Sequence, residues 1–473
     1  MAETRYIGWA GILRLGLVQT ALGAIVVMTT STLNRVMVVE LALPAMLPGF
    51  LVAIHYFVQL SRPRFGHGSD TGQRRTPWII GGIATLGFGG VLAALATAWM
   101  VVSTLGGVLL ALIAFLLIGA GVGASGTCLL VLLAATVEPK RRAAAASITW
   151  IMMIAGFAVT AGVVGAFLDP FSFARLVTIS AIVALIALTM TVLALRNLED
   201  QFVRTNGTPA QSAVSSPVSS TVASTVTSTG SSTGSSSMSA DTADDGGGFR
   251  QAITEVLSER HTRRFAAFVF ISMLAYSAQD LVLEPFAGAV FGMTPGQSTQ
   301  LGGIQHGGVL LGMLLVALVG YLLTVRRQGV LRGCMIGGCI GSSVLLLALA
   351  LAGFHDGDWP LHSTVLMLGI TNGVFAVAAI GSMMGLVSQG HRRRDGVRMG
   401  VWGAAQAIAF GLGGIAGTLA VDLVRFLSGS VLYAYSLVFV GQAVLFASAA
   451  VLAAELSRRG AVQDVPRQLH AEA

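Results

Sequence analysis

Apolar runs long enough to cross a membrane recur along this chain, and the gaps between them alternate between arginine-rich and arginine-poor. A bilayer-spanning helix needs about 20 apolar residues. Runs bounded by charges, Pro or polar clusters cover 13–33, 44–61, 78–100, 104–136, 143–168 and 174–196, then 263–292, 300–325, 331–354, 363–388, 400–427 and 431–456. The chain as a whole is 10% charged, against about 25% in soluble domains, so it cannot clothe a water-facing surface. That excludes an ordinary soluble enzyme. Gaps after even-numbered runs hold Arg62, Arg64, Arg74 and Arg75, then Lys140, Arg141 and Arg142, then Arg326, Arg327 and Arg332, then Arg392, Arg393, Arg394 and Arg398. Of the 28 Lys and Arg, only Arg35, Arg175 and Arg425 fall on the other side. Such an alternation supports twelve spans with both termini cytoplasmic. The net charge of +7 is then topological punctuation and argues for no nucleic-acid partner. Cys128, Cys334 and Cys339 lie inside apolar runs and offer neither a disulfide framework nor metal-ligand spacing.

Composition changes abruptly in the middle. Residues 205–242 are mostly Ser, Thr and small residues, a stretch that cannot bury enough surface to offset its ordering entropy. The reading is therefore a six-helix lobe over 1–198, a disordered Ser/Thr-rich cytoplasmic linker over 199–249, and a second six-helix lobe over 250–473. The halves repeat: Arg142 precedes Trp150 as Arg394 precedes Trp402, by eight residues each. Asn34-Arg35 is followed by Glu40, and Gln279-Asp280 by Glu284. An all-α polytopic membrane protein with twelve transmembrane helices in two pseudo-symmetric lobes has the architecture of major facilitator transporters, whose substrate sites lie between the lobes.

Ionisable groups inside a membrane are costly and point to function. Arg35, Glu40, Asp280 and Glu284 are the candidate cavity or lobe-interface charges, and Arg35 is expected to pair with Asp280 or Glu284 across the lobes. His55 and His306 fall within spans. Each is either a packing residue, an axial imidazole ligand or a proton relay. Gln19, Gln59, Gln305, Asn372 and Gln406 line a cavity or glue helices together. The loop from Gly66 to Arg75 is similar to the major facilitator loop between spans two and three, with Gly66, Asp70, Arg74 and Arg75 matching. In that motif the acidic residue docks on a neighbouring helix end and gates conformational change. Thr71 stands where a basic residue is usual. No nucleotide-binding loop, metal-spaced Cys/His set or Ser/His/Asp grouping occurs, so no enzyme is expected and no catalytic or metal site is assigned.

Three further segments carry a more specific likeness. Leu33-Asn34-Arg35-Val36-Met37-Val38-Val39-Glu40-Leu41, Arg62-Pro63-Arg64-Phe65-Gly66-His67-Gly68-Ser69-Asp70 with Arg75-Thr76-Pro77-Trp78, and Gln279-Asp280-Leu281-Val282-Leu283-Glu284-Pro285-Phe286 resemble the PucC/LhaA family, the bacteriochlorophyll-delivery branch of the major facilitator superfamily. The resemblance implies an inner-membrane factor of a phototrophic bacterium that helps assemble light-harvesting complexes. Its implied partners are light-harvesting polypeptides and pigment-synthesis enzymes, with bacteriochlorophyll as bound cargo and no covalent cofactor; the apolar spans themselves make membrane lipid a partner. The alternative from the residues alone is a proton-coupled secondary transporter of a small or amphipathic solute.

Overall fold

A computed structural model describes residues 6–62, 65, 74–199, 260–322, 327–355, 359–387 and 395–469. The Ser/Thr-rich linker, Gly66 and Asp70 lie outside the described residues. Twelve helices follow one another among those described: α1 (Trp9–Glu40), α2 (Met46–Val58), α3 (Thr76–Trp99), α4 (Thr104–Thr136), α5 (Arg142–Leu168), α6 (Phe173–Leu195), α7 (Arg260–Phe291), α8 (Pro295–Leu322), α9 (Arg327–Ala352), α10 (Leu361–Val387), α11 (Asp395–Ser428) and α12 (Val431–Leu469). Eleven are long and apolar enough to cross a membrane, so the protein is a multi-pass membrane protein.

Two helices depart from expectation. The second span is short: α2 and the 3-10 turn Gln59–Ser61 cover only Met46–Ser61, about 24 Å of helix, because Pro44 delays its start and Arg62-Pro63 ends the apolar run. The first span is longer than 13–33. It continues to Glu40 because the charge of Arg35 is paired inside the protein and does not need to reach water.

Packing repeats between the lobes. In the first lobe α1 packs on α5 and α6, α3 on α4 and α6, and α2 on α4; in the second, α7 packs on α11 and α12, α9 on α10 and α12, and α8 on α10. Across the interface α5 meets α8, and its counterpart α11 meets α2. Close approach there is set by glycine. A side chain on Gly165 would meet the Gly296 carbonyl at 2.6 Å, and one on Gly49 would overlap Thr418. The outward faces are apolar, with Phe88, Val159, Phe167, Leu185 and Phe426 all more than 60% exposed, as lipid contact requires.

Candidate functional site

The lobes meet where α1 faces α7 and α8, and α1 is not a regular helix there. Met28–Thr32 and Val36–Glu40 are π-helical. The run Thr29-Thr30-Ser31-Thr32 stabilises the wider turn, since the Thr29 and Thr30 hydroxyls donate to the Val26 carbonyl (2.9 and 3.0 Å). The second π segment decides where Arg35 goes. Its i→i+5 register lays Glu40 over Arg35, and the two form an ion pair, Nη1 to Oε1. Arg35 is 2% exposed. Its Nη2 donates to the Met293 carbonyl (2.6 Å), which Gly292 positions by ending α7 in the left-handed conformation (φ +65°). Gly288 leaves room for the guanidinium, because a Cβ there would stand 2.8 Å from Nη2.

The expected pairing of Arg35 with Asp280 or Glu284 is therefore wrong. A 3.6-residue period puts residues 35 and 40 on different faces, and only the π turn unites them. Glu284, 2% exposed, instead accepts from the Ser31 hydroxyl, with Gly302 of α8 leaving space for its carboxyl. Asp280 is half-buried, and the Gln305 amide donates to its Oδ1 at 3.3 Å.

One contact joins the two most specific sequence segments. Pro285 lies inside α7 and has no N–H, so the Leu281 carbonyl four residues earlier loses its helical donor. The Asn34 amide of α1 supplies the missing hydrogen bond at 2.7 Å. Asn34 is fully buried. The proline in one lobe thus creates the acceptor that the asparagine in the other lobe satisfies.

The two histidines differ in what their nitrogens can do. At the end of α2, Arg62 donates to the Gln59 side-chain Oε1, and the Gln59 Nε2 amide donates to His55 Nε2 (2.8 Å). That bond occupies the His55 lone pair. His306 Nδ1 donates to the Gly302 carbonyl (2.9 Å), leaving Nε2 as the nitrogen with a lone pair. Its ring stands edge-on to Phe157 of α5, centroids 5.1 Å apart, at the lobe interface. Nearer the middle of the bundle, Phe410 of α11 packs on Tyr56 and Tyr276, with centroids 5.4 and 6.1 Å away.

The remaining amides divide between glue and site. Gln19 donates to Met153 Sδ (3.3 Å). Asn372 donates to Gln279 (3.1 Å) and accepts from Ser342 (2.8 Å). Only Gln305 touches a candidate charge, while Gln406 is half-buried on α11. Of the loop motif, Arg74 and Arg75 lead into α3.

Sequence reading missed two carboxylates. Asp169, just past α5, accepts from the Thr294 hydroxyl (2.5 Å) and the Gly296 N–H (3.1 Å) at the start of α8. Asp422 of α11 accepts from Ala45 and Met46 N–H (2.9 and 2.7 Å) at the start of α2. Each lobe thus caps a helix of the other at the arginine-poor end, where negative charge is favourable. The signal was present: Asp169 follows Arg142 by 27 residues and Asp422 follows Arg394 by 28.

Two lobes of six helices joined at paired α5–α8 and α11–α2 contacts define a major facilitator fold. The nucleoside transporter NupG aligns with a TM-score of 0.65 at 12% identity, covering 94% of this chain and 99% of that one. A bacterial homologue of the human drug peptide transporters PepT1 and PepT2 aligns at 0.61 and 14% identity, covering 97% and 99%. At the family level, the PUCC protein family matches residues 32–229 and 218–461, and the chain belongs to it. It is 47% identical to the Rhodobacter capsulatus protein named bacteriochlorophyll synthase 44.5 kDa chain, over 97% of this chain and 98% of that one. It is also 27% identical to protein PucC of the same organism, over 95% and 92%.

Proposed function

We propose that this protein handles or delivers bacteriochlorophyll during assembly of light-harvesting complexes in the inner membrane of a phototrophic bacterium, with both termini cytoplasmic. It binds cargo and performs no covalent chemistry. The observation that carries this reading is His306: an imidazole at the lobe interface with its Nε2 lone pair unspent, beside an aromatic ring of the other lobe. The full-length likeness to a relative named for bacteriochlorophyll supports the choice of cargo. Such a nitrogen can offer one axial ligand to the metal of a tetrapyrrole, and small-residue helix faces admit a flat ring from the bilayer. His55 does not fit that role, because its Nε2 is already bonded. The partners on this reading are light-harvesting polypeptides and pigment-synthesis enzymes.

Absorption of the detergent-purified protein from its own host tests this. Near-infrared bands that co-purify, and that His306→Ala removes while His55→Ala keeps them, are the expected result. Colourless protein together with normal antenna spectra in a deletion strain would overturn it. A second reading rests on Asp280, a half-buried carboxylate bonded to an amide and to no cation among the described residues. That is the arrangement of a proton-coupled solute carrier. Proton-linked uptake by reconstituted vesicles, lost in Asp280→Asn, would favour it over pigment delivery.

A further inference from the structure

The end of α6 and the start of α3 build a second polar site, away from the lobe interface. After Leu195 the chain leaves α6, and Asn197 takes φ +60°, the left-handed turn that asparagine tolerates at helix ends. The turn buries Leu198 and aims Glu199 back at α3. The Glu199 oxygens accept the Arg75 and Thr76 N–H groups at 2.8 and 2.9 Å. Glu199, expected as the first linker residue, therefore belongs to the first lobe. Its carboxylate also uses up the amides that the α3 start would offer an anion.

What remains around it is positive. Arg14 donates from Nε to the Ala194 carbonyl (2.8 Å) and from Nη2 to the Arg196 carbonyl (2.5 Å). Its charge is thus held over the last turn of α6. The Arg196 side chain is exposed. Neither Arg14 nor Arg196 has a carboxylate partner among the described residues. A cavity of about 200 Å³ opens between the two helices. Arg74, Thr76, Arg196, Asn197 and the amide-bound Glu199 carboxylate line its polar side, and Pro77, Ile80, Val192 and Leu195 its apolar side.

Depth in the bilayer follows from tryptophan. Trp78 and Trp99, 37% and 49% exposed, stand near the two ends of α3. Their separation along the helix is about 31 Å, close to the hydrocarbon thickness of about 30 Å. Aromatic residues favour the two interfaces, so the cavity beside Trp78 sits at headgroup level with its apolar wall toward the lipid tails.

We propose that this cavity holds the headgroup of an anionic phospholipid. The phosphate faces the Arg196 guanidinium, Asn197 donates to it, and Arg14 adds charge from behind. The acyl chain starts along Ile80, Val192 and Leu195. A zwitterionic lipid would bring its own cation to the same arginines and binds more weakly.

Native mass spectrometry of the full detergent-purified chain, titrated with phosphatidylglycerol or phosphatidylcholine, tests this directly. Phosphatidylglycerol should bind in preference, and Arg196→Gln should weaken that binding about five-fold. Arg175→Gln, at the opposite end of α6, should leave it unchanged. Arg196 is exposed and its side chain makes no hydrogen bond among the described residues, so an unchanged melting temperature accompanies the expected loss. Equal binding of the two lipids, or phosphatidylglycerol binding unaffected by Arg196→Gln, would overturn the proposal. Displacement of the lipid by an equal concentration of inorganic phosphate would also overturn it, by marking a site for free anions.

Discussion

Helices α1 and α7 occupy corresponding places in the two lobes and treat charge in opposite ways. α1 widens into two π segments, folds Glu40 over Arg35 and pairs the two within one helix. α7 stays α-helical through Pro285 and carries Asp280 and Glu284 with a neutral amide and a hydroxyl as their hydrogen-bond partners. Backbone pseudo-symmetry therefore does not make charges complementary. The first lobe pairs its charge within one turn, whereas Asp280 and Glu284 take neutral partners from α8 and from α1 of the other lobe and, among the described residues, have no cation bonded to them.

The comparison breaks hardest at Arg35. Glu40→Ala takes the carboxylate from a guanidinium that is 2% exposed and keeps the Met293 carbonyl; because Glu40 itself is a third exposed, the cost falls below the ~3–5 kcal/mol of a fully buried pair. A large fall in detergent melting temperature is expected, and an unchanged value would show that Glu40 is dispensable. Next comes the Asn34–Leu281 contact. Asn34→Ala leaves the Leu281 carbonyl unsatisfied, at about 1–3 kcal/mol. In a Pro285→Ala background the helix regains its own donor, so the same substitution should cost clearly less. A double-mutant cycle reads the difference; equal costs in both backgrounds would mean that the proline does not create the acceptor.

Asp169→Ala and Asp422→Ala should each cost about 1 kcal/mol, as lost helix caps do. Both should raise labelling, by an impermeant maleimide, of a cysteine introduced at Thr294. Labelling raised by only one of them would end the equivalence of the two caps. Smallest of all is Asp280→Asn, which loses no ion pair and keeps a partner for Gln305, so its stability change should stay under about 1 kcal/mol. Exchanging Arg35 and Asp280 should rescue neither single variant, in contrast to a true pair.

Much of the architecture was legible beforehand because membrane insertion reads local properties. Span count follows from apolar length, which needs no long-range contact. The boundaries that failed are instructive. The first span runs on to Glu40 because a charged residue inside the protein is paired by geometry that no hydropathy window contains. Asp169 was passed over because it sits just past a helix end, where an acidic residue ordinarily means solvent, and Asp422 because it lies within two turns of the end of α11; only their partners across the interface make them caps. His55 and His306 look alike in sequence, yet one nitrogen is spent on Gln59 and the other is not.

By itself the sequence determined a twelve-helix membrane protein in two repeating halves, and the segments around Asn34-Arg35 and Pro285 already carried its family likeness. Tertiary structure decided which of those residues meet. The reason is physical: hydrophobicity and charge count are summed along the chain, whereas a π turn, a missing proline N–H and a borrowed helix N-terminus are resolved by whichever donor or acceptor the fold brings within about 3 Å.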